Sequence, residues 1–553
     1  MTPCGTSRRL HPLRHLRLLA CVLTLQGLPH TVQAQAPTAP AARPLSVDVQ
    51  GYEVEGNTLL QAAQIQARLS GLTGARTMVQ LRDAAAAVQE LYRRAGYGGV
   101  VAFLPEQNLQ SGRVKIRIVE GRLQRIEVTG NQHFSRDNVQ GGLPALRVGE
   151  TPEVRRIDAQ IQMVNENPAK QVQVLLQPGS DPASIAAKVT VNEGPIRRGH
   201  LRLDNTGGER TGRYRLAGGW QHADLTGRDD VLNLEAASSP GHWKAVRVVS
   251  AGYRLPFYDQ AMVLDGYALW SDVDGGTTQT AAGDLAFSGK GRVAGLRLSR
   301  YLQRRGNVDQ RFQLGFDHRD YLNDCAIAGL PAGACGSAGV SVRVQPLMAG
   351  YTLQAAGRER VAFNAQLVFN PGWGGQRASA ADFDNVRSGA KPRYALVRMT
   401  GSFRAPLEEL GHLELRGSLQ WANRPLIPGE AFGLGGAYSL RGFEERELIG
   451  DGGLLLGAEA VSRNLLDGLG SGEGAQRTRL QLLAFIEGGF LRNRDAAPCQ
   501  IGQRSCRMGA VGVGLRAAHD DTTLRLDLGR AMSEGPQTRK GDLKAHLLLT
   551  QSL

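Results

Sequence analysis

Two hydrophobic periodicities divide the chain. Between residues 45 and 195, apolar positions three and four apart alternate with short runs of period two. Beyond residue 196 the helical spacing vanishes. Segments of about ten residues then alternate small apolar with polar positions, the pattern of strands wet on one face and greasy on the other.

The first stretch reads as a repeat. Leu81, Ala84, Ala85, Val88, Leu91 and Tyr92 form one helical stripe, and Gly96 follows it as a helix stop. A shorter helical pattern covers 60–69, and 45–54, 99–104 and 113–119 read as strands. The order is β-α-α-β-β over 45–121. A second unit over 122–195 repeats it, with strands at 124–128, 172–177 and 186–192 and helices at 136–141 and 154–165. Both units share a frame. Val54-Glu55-Gly56-Asn57 opens the first and Ile118-Val119-Glu120-Gly121 closes it. Val128-Thr129-Gly130-Asn131 opens the second and Val191-Asn192-Glu193-Gly194 closes it. Each unit predicts a small sheet with an edge strand open to an added peptide strand.

Parity orders the second stretch. N-terminal modules and a C-terminus on one side of a membrane require an even strand count, with short turns on that side and long loops opposite. The connections at 408–411 and 355–358 are short, whereas 323–340, 370–392 and 422–450 are long. The weakly alternating 277–288 is read as loop. A transmembrane antiparallel β-barrel of sixteen strands results, eleven before 422–450 and five after it, behind α+β modules.

The N-terminus predicts export. Arg8, Arg9, Arg14 and Arg17 precede an apolar run at 18–28, and Val32-Gln33-Ala34 or Ala34-Gln35-Ala36 offers a cleavage site. Residues 1–34 read as a signal peptide and 35–44 as a Pro/Ala linker. No later apolar run reaches the roughly 18 residues a membrane helix needs. The formal charge is +14. The basic residues are dispersed without interleaved aromatics, so a solvated surface is expected rather than nucleic-acid binding. Four cysteines outlast the leader, as the close pairs Cys325/Cys335 and Cys499/Cys506 in loop-like segments. In an exported chain these predict two local disulfides. No zinc spacing, nucleotide loop or catalytic arrangement is present, so no metal, cofactor or enzymatic activity is expected.

The candidate chemistry lies in the long Gly-rich loop. Arg441 sits in Leu434-Gly435-Gly436-Ala437-Tyr438-Ser439-Leu440-Arg441-Gly442-Phe443. Glu487 shares one strand face with Phe485 and Gly489 by period two. A barrel of sixteen strands is too wide for side chains to fill. The loop is long enough to fold back inside, where Glu487 offers Arg441 a charge-assisted partner, Gly489 lets the loop backbone approach the wall, and Phe485 packs beneath it.

The repeated frame resembles the POTRA module. The whole chain after the leader resembles the outer-membrane transporters of two-partner secretion, TpsB-type members of the haemolysin/adhesin secretion-activation family within the outer-membrane assembly superfamily. Three further matches carry this: Asp204-Asn205-Thr206-Gly207 with Thr211-Gly212-Arg213, the Leu440-Arg441-Gly442-Phe443 motif, and Phe485-Ile486-Glu487-Gly488-Gly489. The resemblance implies a loop-to-wall clasp of Arg441, Gly442 and Phe443 against Phe485, Glu487 and Gly489. It implies periplasmic POTRA domains that bind a large exported exoprotein, a TpsA-like haemolysin or adhesin, which then crosses a monomeric barrel. It also implies contact with outer-membrane lipid and assembly by the barrel assembly machinery. An insertase for other barrels is the alternative, followed by a passive porin or receptor. Leu440 replaces the family's usual Val, Glu487 its Asp, and Leu553 its terminal aromatic. The linker is too short for a lumen-spanning plug helix.

Overall fold

The computed structural model describes residues 46–181, 183–209, 211–273, 277–280, 283–286, 290–322, 340–467, 478–494 and 504–553. The leader, the linker, Cys325, Cys335 and Cys499 lie outside these.

The first unit contains β1 (Ser46–Val49), β2 (Gly51–Glu55), α1 (Ala62–Leu69), β3 (Gly74–Thr77), α2 (Met78–Ala95), β4 (Val100–Phe103) and β5 (Arg113–Glu120). β5 is central, parallel to β2 and antiparallel to β4. β3, which the periodicity did not signal, pairs with β1 in a separate small ribbon. α2 starts at a capping box between Thr77 and Gln80 and stops at Gly96, whose φ is 105°. Its Leu81, Ala84, Ala85, Val88 and Tyr92 are buried in the core beneath the sheet.

The second unit repeats this with β6 (Arg122–Thr129), α3 (Arg136–Gly141), α4 (Val154–Val164), β7 (Lys170–Pro178) and β8 (Ser184–Glu193). β8 is central, parallel to β6 and antiparallel to β7. The shared frame has one physical cause. Glu120 accepts the Thr58 and Leu59 backbone N–H groups at 2.8 and 2.9 Å, and Glu193 accepts those of His133 and Phe134 at 2.8 and 3.1 Å. The glycines of the opening motifs are forced. Gly56 and Gly130 have φ of +87° and +83°, and a Cβ there would fall 2.3 and 2.2 Å from the carbonyl oxygens of Ile118 and Val191.

Seventeen strand segments then close an antiparallel barrel. Val342–Val344 and Leu347–Ala355 pair with the same neighbour, Val308–Leu322, on either side of Gln345-Pro346, and count as one strand. Sixteen strands result, numbered here from one in chain order. Strand one, Arg197–Asp204, pairs with strand sixteen, Leu543–Ser552. Eleven precede the long loop and five follow it. Within 277–288, Thr277–Thr280 and Gly283–Ala286 pair as a hairpin apart from the barrel wall. Side chains alternate as the wall requires. On strand thirteen, Thr478–Arg492, Leu482 and Ile486 are exposed outward, while Phe485 and Glu487 are buried inward. Cys506 is not in a loop. It lies on strand fourteen, Ser505–His519, buried and without a disulfide among the described residues.

The second unit is bolted to the barrel mouth. Lys170, fully buried, places Nζ 2.7 Å from both Asp229 carboxylate oxygens, and the Tyr258 hydroxyl donates to the same group at 2.7 Å. Asn167 Nδ2 donates to the Ala223 carbonyl at 2.6 Å. Glu166 meets Arg254, Tyr301 and Arg311 of the wall.

Candidate functional site

The loop between strand eleven, Gly411–Ala422, and strand twelve, Gly452–Ser462, is structured throughout. A strap, 423–431, leads to a short stem in which Phe432–Leu434 pairs with Leu448–Gly450. The stem carries a tip, 435–447. Gly435, Gly436 and Gly442 take positive φ, so the tip turns back on itself within few residues.

Arg441 at the tip is fully buried. Its Nε and Nη2 donate to Glu487 Oε1 at 2.8 and 2.5 Å, and its backbone N–H donates to Oε2 at 2.7 Å. The guanidinium lies 3.5 Å above the Phe485 ring centroid, a cation–π contact in a desolvated setting. Phe443 is fully buried with Leu434, Leu440 and Leu448 against Leu455, Leu491, Met508 and Ala510 of the wall.

Two details differ from the expected clasp. A Cβ at Gly489 would meet the Leu434 side chain at 2.5 Å, so this glycine admits a side chain rather than loop backbone. The close backbone approach is elsewhere. A Cβ at Gly529, on strand fifteen, would fall 2.6 Å from the Gly442 nitrogen. Gly442 N–H also donates to His546 Nε2 at 3.0 Å, which fixes the Nδ1–H tautomer there.

Residues not singled out by the sequence complete the cluster. Glu459 accepts from Arg441 Nη2 at 2.6 Å, and Asp527 Oδ1 lies 3.3 Å from its Nη1. That last pair, and Arg516 Nη1 at 2.8 Å from the same oxygen, are ion pairs without hydrogen-bond alignment. Arg525 Nε donates to Asp527 Oδ2 at 2.8 Å, and Arg416 bonds Glu487 and the Ser439 carbonyl. Three carboxylates thus converge with four arginines. Their only sequence signal was a charge at a lumen-facing position of an alternating strand.

A second body packs against another part of the inner wall. α5 (Ala380–Val386), in the loop between strands nine and ten, starts at a capping box of Ser379 and Asp382. Its Phe383 packs with Leu426 and Ile427 of the strap against the inner faces of strands four to eleven. Arg387 makes a bidentate pair with Asp451 at 2.6 and 2.9 Å and donates to the Leu426 carbonyl at 2.7 Å. The Ser-x-x-Asp spacing was the one available signal for this helix.

Among the described residues no group of three or more His, Cys, Asp and Glu is arranged to hold a metal ion. The site is a mechanical fastening: charged, dry and made of side chains from a loop and a wall.

Comparison with known proteins agrees with this architecture. A family model described as "Haemolysin secretion/activation protein ShlB/FhaC/HecB" matches residues 185–517, and one described as "POTRA domain, ShlB-type" matches 47–121. "Outer membrane transporter CdiB" of Dickeya dadantii is 26% identical over 440 residues, covering 78% of this chain and 75% of that one. "Heme/hemopexin transporter protein HuxB" of Haemophilus influenzae is 25% identical over 194 residues, 35% of this chain and 33% of that one. Among solved structures, CdiB from Escherichia coli superposes with a TM-score of 0.75 at 20% identity, covering 94% of this chain and 93% of its own. CdiB from Acinetobacter baumannii gives 0.69 at 17%, covering 95% and 93%. These two likenesses speak to the fold alone.

Proposed function

Because the chain belongs to the haemolysin secretion/activation family, outer-membrane two-partner secretion transporters with periplasmic POTRA domains, we propose that its two N-terminal units receive one large exoprotein, a TpsA-like haemolysin or adhesin. The second unit, 122–195, acts as a POTRA domain like the first. The client arrives extended, pairs with an edge strand, threads the lumen and folds outside. It is carried by a monomer that the barrel assembly machinery inserts among outer-membrane lipids. The protein conducts rather than catalyses, and folding of the client outside supplies the drive.

One observation carries the choice of edge. Each of the four edge strands is capped by a side chain where an added strand would bond. Gln66 Nε2 takes the Tyr52 carbonyl of β2, and Arg136 Nη2 takes the Ile126 carbonyl of β6. Gln89 Oε1 takes the Ala102 N–H of the four-residue β4. On β7, Asn165 takes both the N–H and the C=O of Val172, at 2.6 and 3.1 Å. Beyond that point the antiparallel register with β8 turns the backbone groups of Val174 and Leu176 outward. β7 begins beside Glu166, Asn167 and Lys170 at the barrel mouth, so a strand added antiparallel to it runs toward the lumen. Leu175, 60% exposed, offers that strand an apolar neighbour.

The test is a photocrosslinking residue in place of Leu175 or of Val101 on β4, with the exoprotein whose release depends on this chain as client. Leu175 is expected to capture the client and Val101 to capture far less. Efficient secretion with no capture from position 175 refutes the edge assignment.

A further inference from the structure

Two bodies with separate apolar cores are folded against the inner wall of the barrel, and each has its own polar latch. The tip core joins Leu434, Leu440 and Phe443 to strands twelve to fifteen. The strap core joins Leu426, Ile427 and Phe383 to strands four to eleven. The Arg441 cluster latches the tip. The strap has a counterpart that the family motifs do not include.

Glu430 is fully buried at the end of the strap. It accepts from Arg319 Nη1 at 2.7 Å, the Tyr321 hydroxyl at 2.7 Å and Arg398 Nη2 at 3.3 Å. Arg319 is itself aimed by Asp317, which accepts its Nη2 at 2.5 Å. Asp317 also holds Arg297 at 2.5 and 2.8 Å and the Tyr267 hydroxyl at 2.6 Å. The buried Glu430 carboxylate is sustained by these three hydrogen bonds, two of them from arginines. Its partners stand on strands seven and ten, and their supporting groups on strands five, six and seven. The partners of Arg441 stand on strands twelve, thirteen and fifteen. In a ring of sixteen, strands seven and fifteen are diametrically opposite, so the loop is fastened to both walls.

The two fastenings differ in how closely the loop backbone meets the wall. The tip is bonded through its own backbone at Arg441 and Gly442 and interlocks with the wall backbone at Gly529. The strap contains Pro425 and Pro428, which have no N–H to give. Beyond Asn423, whose N–H bonds the Ala395 carbonyl, wall side chains hold it: Arg319, Tyr321 and Arg398 on the Glu430 carboxylate, Tyr321 on the Gly429 carbonyl, and Arg398 and Gln420 on the Glu430 carbonyl. These wall partners are all side-chain atoms, whereas the tip also meets wall backbone at Gly529.

We propose that Glu430 is the releasable latch of a two-leaf gate. The strap and the α5 loop form the leaf that opens, while the Arg441 tip stays docked and braces the wall. This rests on reading the barrel as the export conduit, yet its test needs no cargo. Full-length protein and the variants Glu430→Gln and Arg319→Met would be compared in planar bilayers in potassium chloride. Hydrogen exchange would be followed separately in 423–431 and 435–447, with heat-modified gel mobility as the check on barrel folding. Either variant removes a charge-assisted bond from a dry site, and an open probability about tenfold higher or more is expected. Exchange should rise in 423–431 and stay low in 435–447. Whichever folded variant is available, wild-type conductance with a protected strap overturns the proposal, as does simultaneous loss of protection in strap and tip. If the proposal holds but client export does not depend on this protein, only the conduit reading falls.

Discussion

Removing Glu487 should unseat the loop tip more than removing its partner Arg441, and removing both should restore much of the loss. Both side chains are fully buried. Four arginines, Arg416, Arg441, Arg516 and Arg525, meet three carboxylates, Glu459, Glu487 and Asp527. Glu487→Ala leaves four cations against two anions, with Arg441 still sealed from water. Breaking a buried pair in this way costs about 3–5 kcal/mol. Taking about 3 kcal/mol as the share felt by tip docking gives a shift of roughly a hundredfold. Arg441→Ala instead leaves three cations against three anions, and Arg416 remains bonded to Glu487. The apolar seat of Phe443 and Leu440 is untouched, so a smaller loss of about 1.5–3 kcal/mol is expected, the worth of a charged hydrogen bond. The double variant should match Arg441→Ala, because no buried charge is then orphaned. The assay is hydrogen exchange of 435–447 in the three variants, closed as a double-mutant cycle. Equal single effects that simply add in the double variant would refute the reasoning.

Four further outcomes follow from the same geometry. Gly529→Ala places a Cβ against the Gly442 nitrogen at 2.6 Å, and should raise tip exchange while Gly488→Ala, with nothing within 4 Å, does not. Lys170→Met leaves Asp229 buried without its cation, and should loosen the second unit from the barrel mouth by about 3–5 kcal/mol, read by exchange of 223–230. Burial pushes Glu120 and Glu193 up, but the hydrogen bonds from Thr58, Leu59, His133 and Phe134 outweigh it and hold both below the usual carboxylate range. A depressed pKa means stability present above the unfolded value of about 4.3 and lost as pH falls through the folded one. Protection at 58–60 and 132–135, taken as exchange relative to the unstructured rate at each pH, should therefore be flat from pH 7 to 5 and fall below about pH 4. Asn165→Ala uncaps Val172, and should lengthen the β7 segment that captures client in the crosslinking assay.

Much of the architecture was written in period and parity. Alternation on the wall strands is dictated by lipid on one side and water on the other, so it survives in single-sequence reading. Parity then fixed the count, because a strand too many would have put the Arg441 loop on the wrong side. β3 escaped since Gly74 to Thr77 holds no apolar alternation and pairs only with β1. α5 escaped because one buried Phe383 cannot make a stripe. The repeated Gly-Asn and Glu-Gly frame was visible as a pattern, but its cause, a carboxylate accepting the backbone N–H groups that follow the opening motif, arises only when the fold brings the two ends of the unit together. The same holds for the wall partners of Arg441. A lone Glu459 or Asp527 on an alternating strand reads as any wetted position until the loop is seen to fall on it. Gly489 shows the sharper limit: glycine announces a close approach without saying whether a side chain or a backbone makes it.

The central claim is that this barrel exports one partner protein. It is tested most directly by deleting the chain and fractionating the cells. One large exoprotein is then expected to accumulate in the periplasm, other outer-membrane proteins to keep their normal levels, and the intact chain to restore release. Undiminished release of every exoprotein would contradict it, and so would a general loss of outer-membrane proteins.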